Sequence, residues 1–249
     1  MTEPQQPAGL RYLTEADRLL ERLAGDEWPA LLEAARTVAA ALADGHTLHA
    51  FGTGHSHMLA EELFYRAGGL VRVSPILFDG LMLHASASLS TSLERLPGLA
   101  AALLADHQMS AGDVLVVASN SGGNAVAAEL AEAAQGLGVG VIAVTSRTHA
   151  TSSAARGGRG SEGRALHQIA DVVIDNGGCV GDAAVQVDGF ERKVGPTSTV
   201  VGAAILNAIV VQAVELLVER GITPEVYSSS NVEGGDAVNA HYVRSAGAR

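Results

Sequence analysis

Short apolar runs alternate with Ala- and Leu-rich stretches along most of this chain. Five of these runs are rich in Val, Ile, Leu and Ala, which is typical of strands that are buried on both faces of a sheet. They predict strands at Thr47–Phe51, Val71–Pro75, Val114–Ala118, Gly140–Thr145 and Val172–Asp175. The alternation of strands and helical stretches indicates an α/β protein with a mainly parallel sheet and helices on both faces.

Ala and Leu recur at helical spacing between these strands. The spacing predicts two helices within residues 14–44, separated around Gly25–Pro29, and others at Met58–Arg66, Leu93–His107, Ala125–Gln135, Ala165–Ile169 and about 198–219. The last helix contains the longest apolar run of the chain, Val200–Val218, which is interrupted by Asn207, Gln212 and Glu215. Three polar side chains in this run favour a buried helix over a membrane span.

Two stretches between the predicted elements are irregular. Ser146–Gly163 is rich in Ser, Thr, Arg and Gly, which fits either a surface loop or a mobile lid over a site. Within residues 176–196, the alternating run Ala184–Val187 predicts a short additional strand.

Length and composition fit one globular domain, because 47% of the 249 residues are hydrophobic and 17% are charged. We expect the domain to cover residues 46–220. Residues 1–45 are expected to form helices that pack on this domain or on a dimer partner. The polar tail at 221–249 is a candidate to cap a neighbouring site.

The net charge and the few reactive side chains exclude some classes of function. The net charge of −11 argues against nucleic acid as a partner, since phosphate backbones are bound by clustered Lys and Arg. Lys193 is the only lysine and Cys179 the only cysteine, so an intrachain disulfide is excluded. The first 17 residues are polar and lack the pattern of a signal peptide, so we expect a cytoplasmic protein with no membrane partner.

Two Gly/Ser-rich loops, Gly52–His57 and Ser119–Asn124, each follow a predicted strand and open a helical stretch. Backbone N–H groups and the helix dipole favour an anion at such a helix N-terminus. Because the carboxyl ends of parallel strands meet at one edge of a sheet, the pair of loops predicts a site for a small phosphorylated ligand.

Two other phosphate-binding motifs fit poorly. The first loop begins like a dinucleotide-binding fingerprint, but His57 stands where the third glycine should allow close helix–strand contact. The next predicted strand, Val71–Pro75, does not end in an acidic residue that could bind a ribose. A Walker A motif is absent, since no Gly-Lys-Ser/Thr occurs in the chain.

The segments Gly52–Ser56, Ser119–Asn124 and Gly195–Thr199 together resemble the sugar isomerase (SIS) family of phosphosugar-binding domains. The resemblance covers about residues 40–220 and is strongest to the single-domain branch of heptose-phosphate isomerases and muramic acid phosphate etherases. It implies a three-layer αβα sandwich with a roughly five-stranded parallel sheet. It also implies homodimers or homotetramers whose sites a neighbouring subunit completes.

The same resemblance implies the residues that bind a sugar phosphate. They lie in the three quoted segments and are Gly54, His55, Ser56, Ser119, Asn120, Ser121, Gly122, Asn124, Thr197, Ser198 and Thr199. Asn124 stands where the family often has Thr, although its amide can still donate to phosphate. Val200 replaces the lysine of the amidotransferase branch, which argues against glucosamine-phosphate synthase chemistry.

Catalysis requires a base beside the sugar. Glu62 resembles the carboxylate that follows the first loop in the isomerase and etherase branches, and Glu61 precedes it directly. Adjacent helical residues point about 100° apart, so only one of the two can face a site. His57 and, less directly, His84 are candidates for the acid. The pair His55 and His57 could bind a metal, but no Cys/His cluster supplies further ligands, so we expect no metal and no cofactor.

These groups are suited to remove the proton at C2 of an open-chain sugar phosphate. We expect a lyase or dehydratase that acts on an N-acetylhexosamine 6-phosphate. An aldose–ketose isomerase uses the same base and acid and stays open as an alternative. So does a non-catalytic phosphosugar sensor. Five other histidines belong to no motif and are expected to be structural or at the surface: His46, His49, His107, His149 and His167.

Overall fold

The computed structural model describes residues 6–152 and 163–246. Its main sheet has five parallel strands in the order β2-β1-β3-β4-β5. The strands are β1 Leu48–Gly52, β2 Val73–Pro75, β3 Val114–Ala118, β4 Gly140–Thr145 and β5 Val172–Asp175. Each lies within two residues of its predicted position. The predicted αβα sandwich with a five-stranded parallel sheet is confirmed.

Ten helices are assigned within the described residues. They are α1 Ala8–Ala24, α2 Trp28–Ala43, α3 His57–Leu63, α4 Ala87–Leu93, α5 Leu99–Asp106, α6 Ala125–Gly136, α7 Arg147–Ala150, α8 Leu166–Ile169, α9 Ser198–Glu219 and α10 Gly235–Ala246. Single 3₁₀ turns precede α3, at Gly54–Ser56, and α4, at Asp79–Leu81.

Alternation of side chains along the strands produces the three layers. In β3, Val114 and Val116 pack into one apolar cluster with α2, α3 and α9, whereas Leu115 and Val117 pack into a second cluster with α5, α6 and α8. Successive side chains of a strand point to opposite faces, so every buried strand contributes to both clusters.

Helix α9 belongs to the first of these layers. By length and composition alone it could cross a membrane, with a mean hydropathy of 2.1. In the structure it packs against α2 and α3, and Ile205, Ile209 and Ala213 are buried in the cluster. Core helices of this kind pass the same hydropathy test as membrane spans.

The structure corrects one predicted helix and adds elements in two stretches. The helix predicted at Leu93–His107 is wrong: Pro97 and Gly98 separate α4 from α5, since proline lacks an N–H and Gly98 has φ +86°. The additional strand is confirmed as β6 Ala183–Val185, which pairs antiparallel with β7 Val194–Pro196. The polar tail contains α10, which its weak apolar pattern did not predict. Of the irregular stretch after β4, 153–162 lie outside the described residues.

The strand order places a crevice at the carboxyl edge of the sheet. The chain runs from β1 outwards to β2 and then crosses to β3 on the other side of β1. At such a reversal the loops that follow the two neighbouring strands diverge to opposite faces, and ligands bind between them. Gly52 pairs with Ala118 in the β1–β3 register, so the first loop and the serine loop, residues 119–124, start side by side.

Glycine is required at position 52. A Cβ on Gly52 would lie 2.2 Å from the Ser56 carbonyl oxygen. We therefore expect Gly52→Ala to lower the free energy of unfolding by about 1–3 kcal/mol, as overpacking does. Urea unfolding followed by circular dichroism measures this change.

Gly136→Ala is the matched control, since a Cβ at the end of α6 would meet nothing within 4 Å. This control should unfold at the same or a higher urea concentration. Equal stability of Gly52→Ala and the wild type would contradict the close approach at this turn.

Candidate functional site

A cavity of about 350 Å³ opens at the crevice between β1 and β3. Its walls come from loops that follow the strands, from α4 and α7, and from the start of α9. They consist of Thr53, Gly54, His55, Ser56, Leu83, Ser90, Thr91, Glu94, Ser119, Asn120, Ser121, Asn124, His149, Gly181, Asp182 and Ser198. Eight of the eleven phosphate-binding residues implied by the family resemblance are among them. Thr199 lines a small cleft beside it that shares Ser56 and Ser119.

The first loop forms one wall. It turns sharply after β1, because the Ser56 N–H donates to the Thr53 carbonyl at 3.0 Å. The Thr53 hydroxyl donates to Oε2 of Glu94 at 2.9 Å. Through this bond the first loop holds a carboxylate that belongs to the segment after α4.

The serine loop forms the opposite wall. The Ser119 N–H continues the sheet by donating to the Val144 carbonyl, and the Ser119 hydroxyl accepts the Gly122 N–H at 3.2 Å. Gly122 has φ +62°, and a Cβ there would lie 2.9 Å from the Thr145 hydroxyl. Gly122 thus shapes the loop from outside the cavity wall.

The serine loop ends at the N-terminus of α6, where the helix dipole favours an anion. The side chains of Ser121 and Asn124 line the cavity there. Within the described parts of the chain, neither side chain donates or accepts a hydrogen bond. Both side chains are available to a ligand beside the N-terminal end of α6.

The segment before α9 is arranged differently from the expectation. The N–H groups of Thr197 and Ser198 donate to Oδ1 of Asp182 at 3.1 and 3.0 Å, and the Ser198 hydroxyl donates to Oδ2 at 2.5 Å. Thr197 is buried. The donors at the start of α9, which were predicted to bind phosphate, therefore bind an internal carboxylate.

The predicted catalytic residues lie outside the cavity wall. Glu62 forms an ion pair with Arg66 and accepts a hydrogen bond from the Asn207 amide at 2.7 Å. Glu61 lies 3.8 Å from Nε2 of His57. Their assignment as bases rests on sequence position alone, because the structure brings neither to the cavity.

The two predicted acids are also absent from the wall. His57 is buried, 3% exposed, beneath the turn that carries the first loop. Its Nδ1 lies 3.3 Å from the Gly52 carbonyl oxygen, which supports the turn. His84 is exposed and lies next to Leu83, which does line the cavity.

Three titratable residues of the wall were missed by sequence reasoning. Glu94 ends a serine-rich helix with no motif around it. His149 follows β4 and Asp182 follows β5. Both therefore come after the carboxyl end of a parallel strand, and this position is the signal that could have identified them.

The charge of the wall is acidic. Glu94 and Asp182 line it, whereas no Lys or Arg does so within the chain as described. No group of three or more His, Cys, Asp or Glu suited to a metal occurs in the described ranges either. An anion bound here would be held by N–H groups, hydroxyls and the dipole of α6.

Comparison with known proteins assigns the family. A family model for the SIS domain matches residues 11–146, more than half of the chain, so the chain belongs to the SIS-domain family. A UPF0309 protein of Listeria monocytogenes serotype 4b is 42% identical over 228 residues, which cover 92% of this chain and 91% of that protein. One from Halalkalibacterium halodurans is 41% identical, with 92% and 93% covered. The resemblance inferred from the three loop segments is confirmed.

Solved structures share the fold. A phosphoheptose isomerase from Francisella tularensis aligns with a TM-score of 0.54 and 16% identity, covering 82% of this chain and 94% of that one. A phosphoheptose isomerase from Neisseria gonorrhoeae aligns with a TM-score of 0.50 and 18% identity over the same shares, 82% and 94%. At this identity the similarity concerns the fold alone.

The carboxylate of Asp182 should oppose a bound anion. We expect Asp182→Asn to bind inorganic phosphate about three- to tenfold more tightly, because a negative charge on the cavity wall is lost while Oδ1 can still accept the two N–H groups. Isothermal titration calorimetry measures the affinity. Asp188→Asn, an exposed position outside the wall, serves as the charge-matched control. Weaker binding by Asp182→Asn would contradict this electrostatic role.

His57 makes stability depend on pH. Burial lowers the pKa of His57 below its ordinary value of 6.5, although Glu61 and the Gly52 carbonyl favour protonation. The unfolded chain therefore binds the proton more readily, and the contribution of neutral His57 is lost as pH falls below about 6.5. Urea unfolding of wild type and His57→Gln at pH 8.0 and 5.5 measures this effect. The wild type should lose more stability on acidification than the variant, and equal losses would contradict it.

Proposed function

We propose that the cavity binds a sugar phosphate and that the protein removes the proton at C2 of this ligand. The observation that carries the proposal is the meeting of two Gly/Ser loops at the β1–β3 crevice, with the unengaged side chains of Ser121 and Asn124 at the start of α6. A phosphate group matches hydroxyl, amide and backbone N–H donors at a helix N-terminus.

The phosphate is assigned to the serine loop rather than to the start of α9. Asp182 already accepts hydrogen bonds from the Thr197 and Ser198 N–H groups, so a second anion there would meet a carboxylate. The sugar carbons then extend from α6 towards the first loop, where the Thr53 hydroxyl holds the carboxylate of Glu94. A cavity of about 350 Å³ has room for a hexose phosphate.

We propose an N-acetylhexosamine 6-phosphate as the substrate and elimination of water as the reaction. A base removes the C2 proton, hydrogen-bond donors hold the enolate oxygen, and the C3 hydroxyl leaves. Aldose–ketose isomerisation is the second candidate. It is favoured by the shared fold with the phosphoheptose isomerases of Francisella tularensis and Neisseria gonorrhoeae.

A homodimer or homotetramer is part of the proposal. Val211 and Val218 of α9 are 69% and 58% exposed, and Leu13 of α1 is 61% exposed. Apolar side chains on the outer faces of two long helices are typical of surfaces that a second copy covers. Light scattering across a concentration series measures the mass.

The reaction is tested by incubating the protein with N-acetylglucosamine 6-phosphate and following the sugar by mass spectrometry and NMR. A product lighter by one water supports the lyase. In a parallel incubation with glucose 6-phosphate, whose C2 carries a hydroxyl, unchanged mass with a new ketose signal supports the isomerase. Binding without any change in the sugar would overturn both and leave a phosphosugar sensor.

Ser121→Ala tests the assigned phosphate position. Loss of one hydrogen bond to a charged group should weaken binding of N-acetylglucosamine 6-phosphate about tenfold or more in calorimetry. Ser92→Ala is the control, since this hydroxyl donates to the Ser88 carbonyl on exposed α4 and lies outside the wall. Equal affinity of Ser121→Ala and wild type would show that the phosphate lies elsewhere.

A further inference from the structure

We infer that Glu94 is the catalytic base of this cavity and His149 its acid. The inference rests on the proposed function, because it assigns residues to the removal of the C2 proton. It replaces Glu61 and Glu62, which the resemblance to the isomerase and etherase branches implies. The geometry that carries it is the position of Glu94 and His149 in one cavity wall, each held by a defined hydrogen bond.

Glu94 is held by one hydrogen bond at its side chain and one at its backbone. Its Oε2 accepts the Thr53 hydroxyl at 2.9 Å, and its backbone carbonyl accepts the N–H of Val126 in the first turn of α6 at 3.2 Å. Glu94 is thereby tied both to the first loop and to the helix that the serine loop opens. A general base needs this kind of positioning within reach of the proton that it removes.

The charge of Glu94 is not shared with a cation. In the part of the chain that the structure describes, Glu94 forms no ion pair, and Oε1 makes no hydrogen bond. Glu62 differs in both respects, since Arg66 and Asn207 engage its Oε1. Of these two glutamates, Glu94 alone combines a place in the cavity wall with an oxygen that can accept a proton.

The ring of His149 is oriented as a donor. Its Nδ1 accepts the Gly181 N–H at 2.9 Å, so the neutral ring carries its proton on Nε2. The backbone N–H of His149 donates to the Ser146 hydroxyl at 3.0 Å, and that hydroxyl donates to the Gly178 carbonyl at 2.5 Å. The residue is thus fixed between α7 and the loop after β5, with Nε2 left to donate to the ligand.

The two residues account for a balanced elimination. Glu94 takes the C2 proton, and the electron pair of the C–H bond moves into an enolate at C1–C2 while the C1 oxygen gains negative charge. The enolate expels the C3 hydroxyl, and the Nε2 proton of His149 converts the hydroxyl into water. A C2–C3 double bond forms and the C1 carbonyl is restored. The proton gained by Glu94 returns to His149 through solvent, so the net change is loss of one water.

Deuterium exchange at C2 separates the base from the acid. NMR in D₂O follows N-acetylglucosamine 6-phosphate, and calorimetry gives its affinity. We expect Glu94→Gln to slow C2 exchange at least about 100-fold while affinity stays within about threefold, because the amide oxygen still accepts the Thr53 hydroxyl. His149→Asn should keep C2 exchange and slow loss of water at least about 100-fold, since Asn can still accept the Gly181 N–H.

Glu21→Gln, on the exposed side of α1, is the control and should match the wild type in exchange and affinity. Two results would overturn the inference and leave the proposed function standing. One is C2 exchange at the wild-type rate in Glu94→Gln. The other is loss of C2 exchange in Glu62→Gln while Glu94→Gln retains it. A wild-type protein that binds the sugar but never exchanges C2 would refute the proposed function, and the assignment of Glu94 with it.

Discussion

The parallel pairing of β1 with β3 is the constraint on which the rest of the site depends. It places Gly52 beside Ala118, so the two loops that follow these strands start as neighbours although 66 positions separate them along the chain. Asp113 holds the far end of the pair, where its carboxylate accepts the N–H groups of Thr47 and Ser110 at 2.9 and 2.8 Å. Burial alone would raise the pKa of Asp113, but these hydrogen bonds and one from His49 lower it below its ordinary value. The ionised carboxylate thus stabilises the register that aligns the loops at the opposite edge.

The fold could be predicted from the sequence because its signals are local. Strands buried on both faces are continuous apolar runs, and glycines and serines mark the two loops, so β1, β3, β4 and β5 were found within a residue. The helix predicted across Pro97 and Gly98 shows the limit of this kind of prediction. The prediction followed the helical spacing of apolar residues and neglected a helix-breaking pair.

The polar residues of the cavity were harder to predict because tertiary packing decides which side chains reach it. Glu62 lies only six residues after Ser56 of the first loop. Its position on α3 nevertheless directs its side chain to Arg66 and Asn207. Glu94 is 41 positions from Thr53 in the chain but bonded to it in space. The spacing of residues within one helix does not indicate a contact between residues so far apart in the sequence.

The distribution of charge explains how an acidic cavity can favour an anion at one end. Asp182 takes up the donors at the start of α9, so the field of that helix is offset by an internal carboxylate. At the start of α6, by contrast, the described residues supply the neutral side chains of Ser121 and Asn124. Two helices thus point their N-termini at one cavity. At α6 the Val126 N–H donates to the Glu94 carbonyl, but the side chains of Ser121 and Asn124 are left for a ligand. If the phosphate binds there, the carboxylate of Glu94, which the Thr53 hydroxyl holds towards the first loop, faces the carbon-bound part of the sugar, where a base is needed.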